Sequence, residues 1–565
     1  MAPSKNTLAQ SIDKSLRLIY GSTFDKSIVD QLIFLIEKNR LPHQSTEKWD
    51  EKDVVLITYG DSIKKEDELP LTTLKTFLDN HLKEQLSVVH VLPFFPYSSD
   101  DGFSVIDFRE VNPDLGTWKE LKKLTENFGL MVDLVINHTS SKSKWFQNFL
   151  KQSGEGKDFF ITENPSTDLS EVVRPRSTPL LTPCETANGT KHVWTTFSAD
   201  QVDLNFANPD LLLEMADILL GYISKGARII RLDAIAFLWK KPGTNCLHLP
   251  ETHEVVKLLR ILAEAVNPSV IILTETNVPN QENLSYFGNG DEAHMVYQFS
   301  LPPLLLHALH TGNASYLNKW AQTLPGLSNG CTYFNFTASH DGIGLRPLEG
   351  LIPEEEKEHL ANKMHEFGGL VNYRSKPDGG KSPYELNITY FDALKGTETG
   401  KDEFHAARFL ASQTVMLGLK GVPAFYIHSL TATPNYLEGV AQTGQNRTIN
   451  RRKWNLQELE ELLNNDSTQK TVFTALQQLI LTRKKQKAFH PDAVQQVLNL
   501  GSEFFAFLRI AEESEQTILC ITNLTSESRT FELPEKFHLM NFDLIQGKKI
   551  ESFVLIPYQT LWLTE

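Results

Sequence analysis

The sequence predicts an α/β protein: a (β/α)8 (TIM) barrel with a subdomain inserted in the loop after the third strand and an all-β domain at the carboxyl end. Eight short apolar runs, rich in β-branched residues, alternate with longer amphipathic stretches. Continuous apolar strands separated by helices are typical of a parallel sheet that is covered on both faces. Eight such units favour a closed barrel over an open sheet.

The predicted strands follow one another with helix-like segments between them. In chain order the strands span residues 54–58, 88–92, 131–136, 229–232, 270–274, 295–297, 332–335 and 423–427. The helix-like segments lie near residues 71–85, 117–128, 209–225, 251–266, 301–322 and 404–418. No GxGxxG fingerprint follows the first strand, which argues against a dinucleotide-binding fold.

The domain organisation is predicted from changes in this pattern. Residues 1–50 form a helical extension, because apolar residues recur there at helical spacing. The catalytic barrel takes residues 51–138 and 206–487. Between its two parts, residues 139–205 are rich in Ser, Thr, Pro and Lys, and an excursion this long is typical of a functional subdomain. Short strand-like runs in residues 488–565 predict a closing β domain.

The composition argues against several classes of function. A net charge of −15 would repel nucleic acid and acidic membranes, so neither is expected as a partner. The first residues lack the apolar core of a signal peptide, and no apolar run approaches the ~18 residues of a membrane span. The four cysteines are scattered, which fits a reducing compartment. The expected location is the cytoplasm.

Acidic residues follow three of the predicted strands. Asp233 comes after the fourth strand, Glu275 after the fifth and Asp341 after the seventh. A single acid in such a place is more often the N-cap of the next helix. However, the carboxyl ends of barrel strands meet at one rim, where three carboxylates repel one another unless a function requires them.

The breaking of a glycosidic bond is a reaction that requires such acids. A retaining enzyme uses one carboxylate as nucleophile and one protonated carboxyl as acid, about 5–5.5 Å apart. The third acid can stabilise the positive charge of the transition state. Arg231 lies two positions before Asp233, so both side chains face the same way in a strand, and the arginine should keep Asp233 ionised.

Short motifs at these strand ends resemble those of a known family. DLVINH, RLDAIA, LTETN and SHDGIG resemble motifs of the α-amylase superfamily. The sequence is more similar still to its sucrose-phosphorylase-like branch, through ITYGDS, VHVLPFFP, DDGF, RPR, LPPLLLHAL, SPYELN and NRTINRR. The resemblance runs from about residue 54 to 452 and therefore covers the whole predicted barrel.

The resemblance implies a role for each matched residue. Asp233 is implied as the nucleophile that forms a covalent glucosyl–enzyme, Glu275 as the acid and base, and Asp341 as the stabiliser of the transition state. Positions that hold the glucosyl unit in the family match Asp100, Phe103, His138, Phe197, Gln201, Arg231, His340 and Arg447. Asp100 paired with Arg447 would clamp the far hydroxyl of the sugar, and Phe103 would offer an apolar face.

Members of this branch use inorganic phosphate to intercept the covalent intermediate, which gives α-glucose 1-phosphate. Arg176 and Tyr384 match family positions associated with phosphate, and cationic or hydrogen-bonding groups suit that anion. Nearby, Arg374, Lys376 and Lys381 form a basic loop that could add to the phosphate site or could be a solvated surface turn. The implied partners are therefore a small sugar substrate and phosphate.

Three departures from sucrose phosphorylases concern the acceptor side. Phe237 replaces a tyrosine, Asn277 a histidine and Glu385 a glutamine, whereas the glucose-holding residues are kept. The resemblance therefore implies a leaving group other than fructose, and glucosylglycerate is favoured over glucosylglycerol or sucrose. The glycerate carboxylate is expected to meet Arg174 or Lys381, and Glu385 is expected to bond a glycerate hydroxyl.

Other classes of protein are weaker alternatives. A hydrolase or transglucosylase of the same superfamily would share the covalent step and differ in the molecule that attacks the intermediate. A noncatalytic sugar-binding protein would usually lack one of the three acids. A metal-dependent barrel hydrolase is not supported, because HxH and HExxH are absent. Residues 139–205 hold no loop typical of a calcium site, so neither metal nor cofactor is expected. The oligomeric state, a homodimer included, is left open.

Overall fold

The structure is a computed structural model. It describes residues 5–21, 24–42, 45–176, 178–375 and 380–565. Eight parallel strands close into a barrel, which confirms the predicted fold class. No helix in these described ranges is long and apolar enough to cross a membrane.

The barrel strands are almost continuously buried, as expected for strands that have side chains facing the barrel interior and helices packed outside. They are β1 (Val55–Thr58), β2 (Val88–Val91), β3 (Gly129–Leu134), β4 (Ala227–Leu232), β5 (Ile271–Thr274), β6 (Met295–Tyr297), β7 (Thr332–Phe336) and β8 (Val422–Tyr426). Each strand pairs with the next, and β8 pairs with β1 in parallel to complete the ring. Every strand lies where the sequence predicts one, with bounds that differ by two residues at most.

Helices connect the strands and cover the barrel. The longer ones span Pro70–His81, Trp118–Leu124, Pro209–Ser224, Pro250–Val266, Leu301–Thr311, Ser315–Thr323, Glu354–Glu366, His405–Gly418, Leu456–Asn464 and Thr468–Arg483. Three of them begin at a proline, whose fixed φ suits the first helical position. The single helix predicted over 301–322 is two helices, because Gly312 adopts a left-handed φ of 65° and ends the first one.

Two helices precede the barrel and cover its outer surface. Lys5–Tyr20 packs on the barrel helix Pro250–Val266, and Ser27–Asn39 packs mainly on Pro209–Ser224. Their apolar stripes face the barrel, so that Ile12, Leu16 and Leu32, for example, are fully buried. This segment therefore extends the core of the barrel.

The long excursion between β3 and β4 is anchored at its base by two short strands. His138–Ser140 and Gln201–Asp203 pair antiparallel there, and each contributes a side chain to the barrel mouth. Farther out lie the helix Lys144–Lys151 and a hairpin of Leu181–Thr186 with Gly189–Trp194. The hydrogen bonds between these two strands thus fix the directions of the His138 and Gln201 side chains.

A small antiparallel sheet follows β7 and stands beside the barrel mouth. Its strands, in spatial order, are Ile343–Gly344, Lys381–Asn387 and Leu370–Ser375. The sequence predicts a basic loop in this region and no strand. The middle strand brings Tyr384 to the cavity at the mouth, whereas Glu385 beside it is fully buried.

The carboxyl end of the chain forms a separate sheet with its own small core. Six antiparallel strands lie in the order Val494–Leu498, Phe504–Ala511, Gln516–Asn523, Thr560–Thr564, Phe542–Asp543 and Lys548–Lys549. One face rests on the helix His405–Gly418, where Phe507 and Cys520 approach Gly418 closely. The sheet thereby covers a barrel helix.

Arg483 joins the amino ends of two barrel strands to the start of this carboxyl-terminal part. Its side chain is fully buried, and it donates to the carbonyl oxygens of Glu51 (2.5 Å), Leu417 (2.8 Å) and Phe489 (3.1 Å). Residue 51 precedes β1 and residue 417 precedes β8. One guanidinium group therefore satisfies carbonyl groups that no water can reach.

We expect Arg483→Met to lower the free energy of unfolding by about 3 kcal/mol, because several buried carbonyl groups lose their donor while the volume is kept. Urea denaturation followed by circular dichroism measures the change. Arg529→Met is the matched control, since Arg529 pairs with the exposed Glu527 on the surface, and it should change stability by less than about 0.5 kcal/mol. Equal effects of the two substitutions would contradict the role assigned to Arg483.

Candidate active site

The three predicted catalytic acids lie together at the carboxyl end of the barrel. Asp233, Glu275 and Asp341 follow β4, β5 and β7 and line one cavity. The same cavity is lined by eleven further residues that the sequence analysis singles out: Asp100, Phe103, His138, Arg176, Phe197, Gln201, Phe237, Asn277, His340, Tyr384 and Arg447. An adjoining outer cavity of about 460 Å³ shares Asp100, Arg176, Phe197, Gln201 and Arg447 with it.

Arg231 lies beneath the nucleophile candidate and binds two carboxylates at once. Its Nη1 atom is 2.7 Å from Oδ1 of Asp233 and 2.6 Å from Oδ1 of Asp133. On the other side of Asp133, the His90 ring bonds Oδ2 at 2.6 Å. Sequence reasoning assigned no role to Asp133 or His90, although Asp133 also ends a strand; both hold Arg231 in place and do not line the cavity.

Arg231 lies closer to Asp233 than to Glu275. Its Nη2 atom stays 3.9 Å from Oε2 of Glu275, whereas the contact with Asp233 is a direct hydrogen bond. Burial raises the pKa of Asp233 and the pKa of Glu275, and the mutual repulsion of the carboxylates adds to this. The pair therefore retains a proton more readily than free acids do. The nearer guanidinium favours the charged form of Asp233 more than the charged form of Glu275.

The backbone after Asp233 is bent toward Glu275. Ala234 has a φ of 51°, in the left-handed region that residues other than glycine seldom adopt. Its N–H group donates to Oε2 of Glu275 at 3.0 Å. Non-glycine residues in this conformation cluster at functional sites. The turn fixes Glu275 opposite Asp233 by a backbone hydrogen bond.

Asp341 is held as a carboxylate by arginine. Its Oδ1 atom is 2.5 Å from Nη1 of Arg447 and 3.8 Å from Arg451. Burial alone would raise the pKa of Asp341, but Arg447, His340 and Arg451 outweigh it and hold that pKa well below the usual range. Burial also lowers the pKa of the neighbouring His340 to about 3, so its ring is neutral.

A tight turn in the DDGF motif presents Asp100 and Phe103 to the cavity. Asp100, Asp101 and Gly102 have φ values of 53°, 46° and 111°. A Cβ atom on Gly102 would lie 2.6 Å from the carbonyl oxygen of Pro93, so only glycine fits. Asp101 pairs with Arg451 at 2.5 Å, which ties the turn to the chain after β8.

The expected direct ion pair between Asp100 and Arg447 is not formed in the described chain. Arg447 contacts Asp341 and Glu385 directly, while no ion pair joins it to Asp100 within the described ranges. Burial would raise the pKa of Asp100, but Arg447, Arg451 and Arg176 together lower it. Asp100 is therefore an anion facing the cavity, with its oxygens free for sugar hydroxyls apart from a 3.3 Å contact from Gln201.

The remaining wall is made of rings and neutral polar groups. Phe103 stacks on His340 with ring centres 4.7 Å apart. The His138 ring donates to the carbonyl oxygen of Phe103 at 2.8 Å, and the Gln201 amide donates to the same oxygen at 3.2 Å. Phe197 packs against His138 at 5.2 Å. Apolar faces beside fixed polar groups suit a sugar ring.

Glu385 does not line the cavity as the sequence analysis expects. It is fully buried and accepts hydrogen bonds from Arg447 at 2.7 Å and from Asn372 at 3.0 Å. Its two carboxylate oxygens thus accept hydrogen bonds from the protein itself. Glu385 thus positions Arg447, which in turn holds Asp341.

The expected basic groups for an acceptor carboxylate are also placed differently. Arg174 and Lys381 are exposed and are not on the cavity wall, and Arg174 donates to the carbonyl oxygen of Thr178. Lys376 lies outside the described residues. Instead the wall contains Arg346, which sequence reasoning missed. Its only sequence signal is its place five residues after Asp341 in SHDGIGLRP.

No group of three or more His, Cys, Asp or Glu side chains in the part of the chain that the structure describes could hold a metal ion. Asp233 and Asp341 have direct arginine partners instead. Arg231 binds Asp133 and Asp233, and Arg447 binds Asp341. Charge in the site is therefore balanced by guanidinium groups.

Comparisons with known proteins show the family of this chain. The family model of the α-amylase catalytic domain matches residues 74–341, a region that ends at Asp341. The glucosylglycerate phosphorylase of Spirochaeta thermophila is 47% identical, with 97% of each chain covered. The chain belongs to the phosphorylase branch of the α-amylase superfamily. The glucosylglycerate phosphorylase of Escherichia coli is 45% identical over 98% of this chain and 100% of that protein.

A solved structure places this phosphorylase in the same fold. The crystal structure of sucrose 6F-phosphate phosphorylase from Thermoanaerobacter thermosaccharolyticum superposes with a TM-score of 0.73. It is 26% identical, and the alignment covers 84% of this chain and 94% of that chain. The (β/α)8 architecture and the phosphorylase branch are thus confirmed together.

The raised pKa values of Asp233 and Glu275 predict a pH dependence for this phosphorylase. We expect kcat/KM for a sugar donor to fall as pH rises through the raised pKa of Glu275, because the leaving oxygen then lacks its proton donor. It should also fall at low pH, where Asp233 becomes protonated. The two limits are those of the pair and not of either residue alone. A pH profile of initial rates measures both limbs.

α-Glucosyl fluoride is the matched control donor for this prediction. Fluoride leaves without needing full protonation, so the alkaline limb should be absent from the rate of enzyme glucosylation while the acid limb remains. An alkaline limb of equal position and depth with both donors would assign that limb to a group other than Glu275.

Proposed function

We propose that this enzyme cleaves 2-O-α-glucosylglycerate with inorganic phosphate, reversibly and with retention, to give α-glucose 1-phosphate and glycerate. The proposal rests on one cavity that is lined by the acid pair and by two cationic side chains, Arg176 and Arg346. In the described chain, no carboxylate lies within hydrogen-bond distance of either guanidinium group. Two glucosylglycerate phosphorylases that are similar to this chain over nearly their whole length support the choice of donor.

The first half-reaction forms a covalent intermediate. The Asp233 carboxylate attacks the anomeric carbon, and Glu275 gives its proton to the glycosidic oxygen as that bond breaks. Glycerate leaves with a hydroxyl group in place of the bond, and the glucosyl unit is esterified to Asp233. The direct hydrogen bond from Arg231 supports this division of roles, because it favours the ionised form of Asp233.

The second half-reaction transfers the glucosyl unit to phosphate. Glu275, now a carboxylate, takes the proton from the attacking phosphate oxygen, and Asp233 is released as a free carboxylate. Two inversions at the same carbon give net retention. Asp341 remains an anion throughout, and its charge stabilises the oxocarbenium-like transition state of both steps.

Arg176 and Tyr384 support the use of phosphate as acceptor. Both line the cavity, and Arg176 also lines the outer cavity through which an acceptor would enter. No side-chain hydrogen bond engages Arg176 within the described ranges, so its guanidinium is available to an anion. Charge-assisted bonds of this kind are roughly twice as strong as neutral ones and give phosphate an advantage over water.

We also propose that the enzyme works in the cytoplasm. Its four cysteines are all free, three of them buried, as is usual where thiols stay reduced. We further propose the domain limits 1–50, 51–138 with 206–487, 139–205 and 488–565.

Three donors should separate the proposed reaction from its relatives. With phosphate present, we expect glucosylglycerate to be consumed faster than glucosylglycerol or sucrose, with α-glucose 1-phosphate as the product. Coupled detection of that ester and of free glucose measures the outcome. Fastest turnover of sucrose, or free glucose as the main product in phosphate buffer, would contradict the proposal.

Two variants test the assigned roles. Asp233→Asn should abolish turnover of every donor, because no nucleophile remains. Glu275→Gln should lower kcat on glucosylglycerate by about 10²–10⁴-fold but should leave the release of fluoride from α-glucosyl fluoride far less affected. An equal loss on both donors in Glu275→Gln would argue against its role as the acid.

The phosphate role of Arg176 predicts a change in partition. Arg176→Gln should lower the ratio of phosphorolysis to hydrolysis by about 10–100-fold, because one charge-assisted bond to phosphate is lost while the donor site is kept. Measurement of α-glucose 1-phosphate and glucose in the same reaction gives this ratio directly. If both products fall in the same proportion, the residue serves the glucosyl unit instead.

A further inference from the structure

Arg346 is a cation without a fixed partner inside the active-site cavity. It begins the short helical turn Arg346–Leu348 that follows the strand Ile343–Gly344, and its side chain is only 12% exposed. Among the described residues, no atom accepts a hydrogen bond from its guanidinium, and its buried Nε is left without an acceptor. The carboxylate nearest to it, that of Glu349, stays 3.9 Å away and accepts from Arg374 at 2.6 Å instead.

Other arginines around the site have direct carboxylate partners. Arg231 contacts Asp233 at 2.7 Å, Arg447 contacts Asp341 at 2.5 Å, and Arg451 contacts Asp101 at 2.5 Å. A cation that is largely removed from water loses solvation, and this cost is offset only by an opposite charge and by acceptors for its N–H groups. The chain supplies Arg346 with the Glu349 carboxylate at 3.9 Å and, within the described part, with no hydrogen-bond acceptor for its Nε. A bound anion would supply both a closer charge and an acceptor.

Asn277 is a second unsatisfied group on the same wall. Its Oδ1 atom is buried and has no hydrogen-bond partner in the described chain. The amide lies against the backbone of Gly344, where a Cβ atom would come within 2.6 Å of it, and Gly344 is two residues before Arg346. Asn277 is also two residues after Glu275, which protonates the leaving group. An unused acceptor and an unused cation therefore lie together on the leaving-group side.

The two free arginines occupy different parts of the cavity. Arg176 lines both the inner and the outer cavity, beside Asp100 and Arg447. Arg346 lines the inner cavity and is absent from the wall of the outer one. The proposed reaction uses two anions in turn at this side, a carboxylate that leaves and a phosphate that enters.

We propose that Arg346 binds the carboxylate of the leaving group and thereby selects an acidic acceptor over a neutral polyol. Asn277 accepts a hydrogen bond from a hydroxyl group of the same molecule. This inference rests on the proposed function and assigns its substrate selectivity to one side chain. Arg346 takes over the part that sequence reasoning gave to Arg174 or Lys381. Guanidinium and carboxylate match in planar, two-point geometry, which an ammonium group cannot reproduce.

The test compares a charged donor with a neutral one in Arg346→Gln. We expect kcat/KM for glucosylglycerate to fall on the order of 100-fold, because a charge-assisted pair is lost. For glucosylglycerol, which carries no carboxylate, the change should stay below about threefold, as should the change in KM for phosphate. The reverse reaction from α-glucose 1-phosphate, with D-glycerate or glycerol as acceptor, should show the same loss of selectivity.

Two further variants keep the test decisive. Arg346→Lys should recover part of the glycerate selectivity, because it restores charge but not the two-point geometry. Arg109→Gln is the matched control, since Arg109 binds Glu214 and Asp217 outside the cavity and should leave the selectivity unchanged. Release of fluoride from α-glucosyl fluoride by each variant shows that the acid pair and the fold are intact.

The outcomes separate this inference from the function on which it rests. If wild-type enzyme does not release α-glucose 1-phosphate from glucosylglycerate, the proposed function fails. If it does, but Arg346→Gln loses activity equally on both donors, or loses mainly affinity for phosphate, the assignment of Arg346 to the carboxylate is overturned and the function stands.

Discussion

The pairing of Arg231 with two buried carboxylates is the constraint on which the site depends. In the register of the barrel sheet, Asp133 of β3 lies beside Arg231 of β4. The same guanidinium contacts Asp233, and the ring of His90 on β2 forms a hydrogen bond with the other oxygen of Asp133. Removal of the arginine would leave two buried acids without a counter-charge, which is among the most costly changes in a protein interior. One guanidinium group thus joins two neighbouring barrel strands and also contacts the acid that follows β4.

Much of the fold could be predicted because each barrel strand is a compact apolar run with a polar end. That pattern placed all eight strands and, through the rule that strand ends share one rim, brought Asp233, Glu275 and Asp341 into one cavity. Residues 301–322 are predicted as a single helix because the apolar spacing continues across Gly312. The backbone conformation of that one residue divides the segment into two helices. Periodicity reports which face is buried; it does not report the φ angle of a single residue.

The acceptor side was predicted less well, for a physical reason. Its residues lie on turns and on short strands of the sheet beside β7, where neither the helical nor the strand period assigns a direction to a side chain. Glu385 was placed against the substrate, yet its carboxylate is used by Arg447 and Asn372. Arg346 was missed because nothing in a single sequence shows that an arginine has no partner. Pairing is a property of the folded chain.

The strand Lys381–Asn387 carries two neighbouring residues with opposite duties. Tyr384 faces the cavity, and Glu385, the next residue, turns toward Arg447 and so supports Asp341. Any exchange of this segment for that of a relative would alter the acceptor wall and the charge that supports bond breaking in a single step. New acceptor preferences are therefore easier to reach through point changes on the facing turn than through transplantation of the whole hairpin.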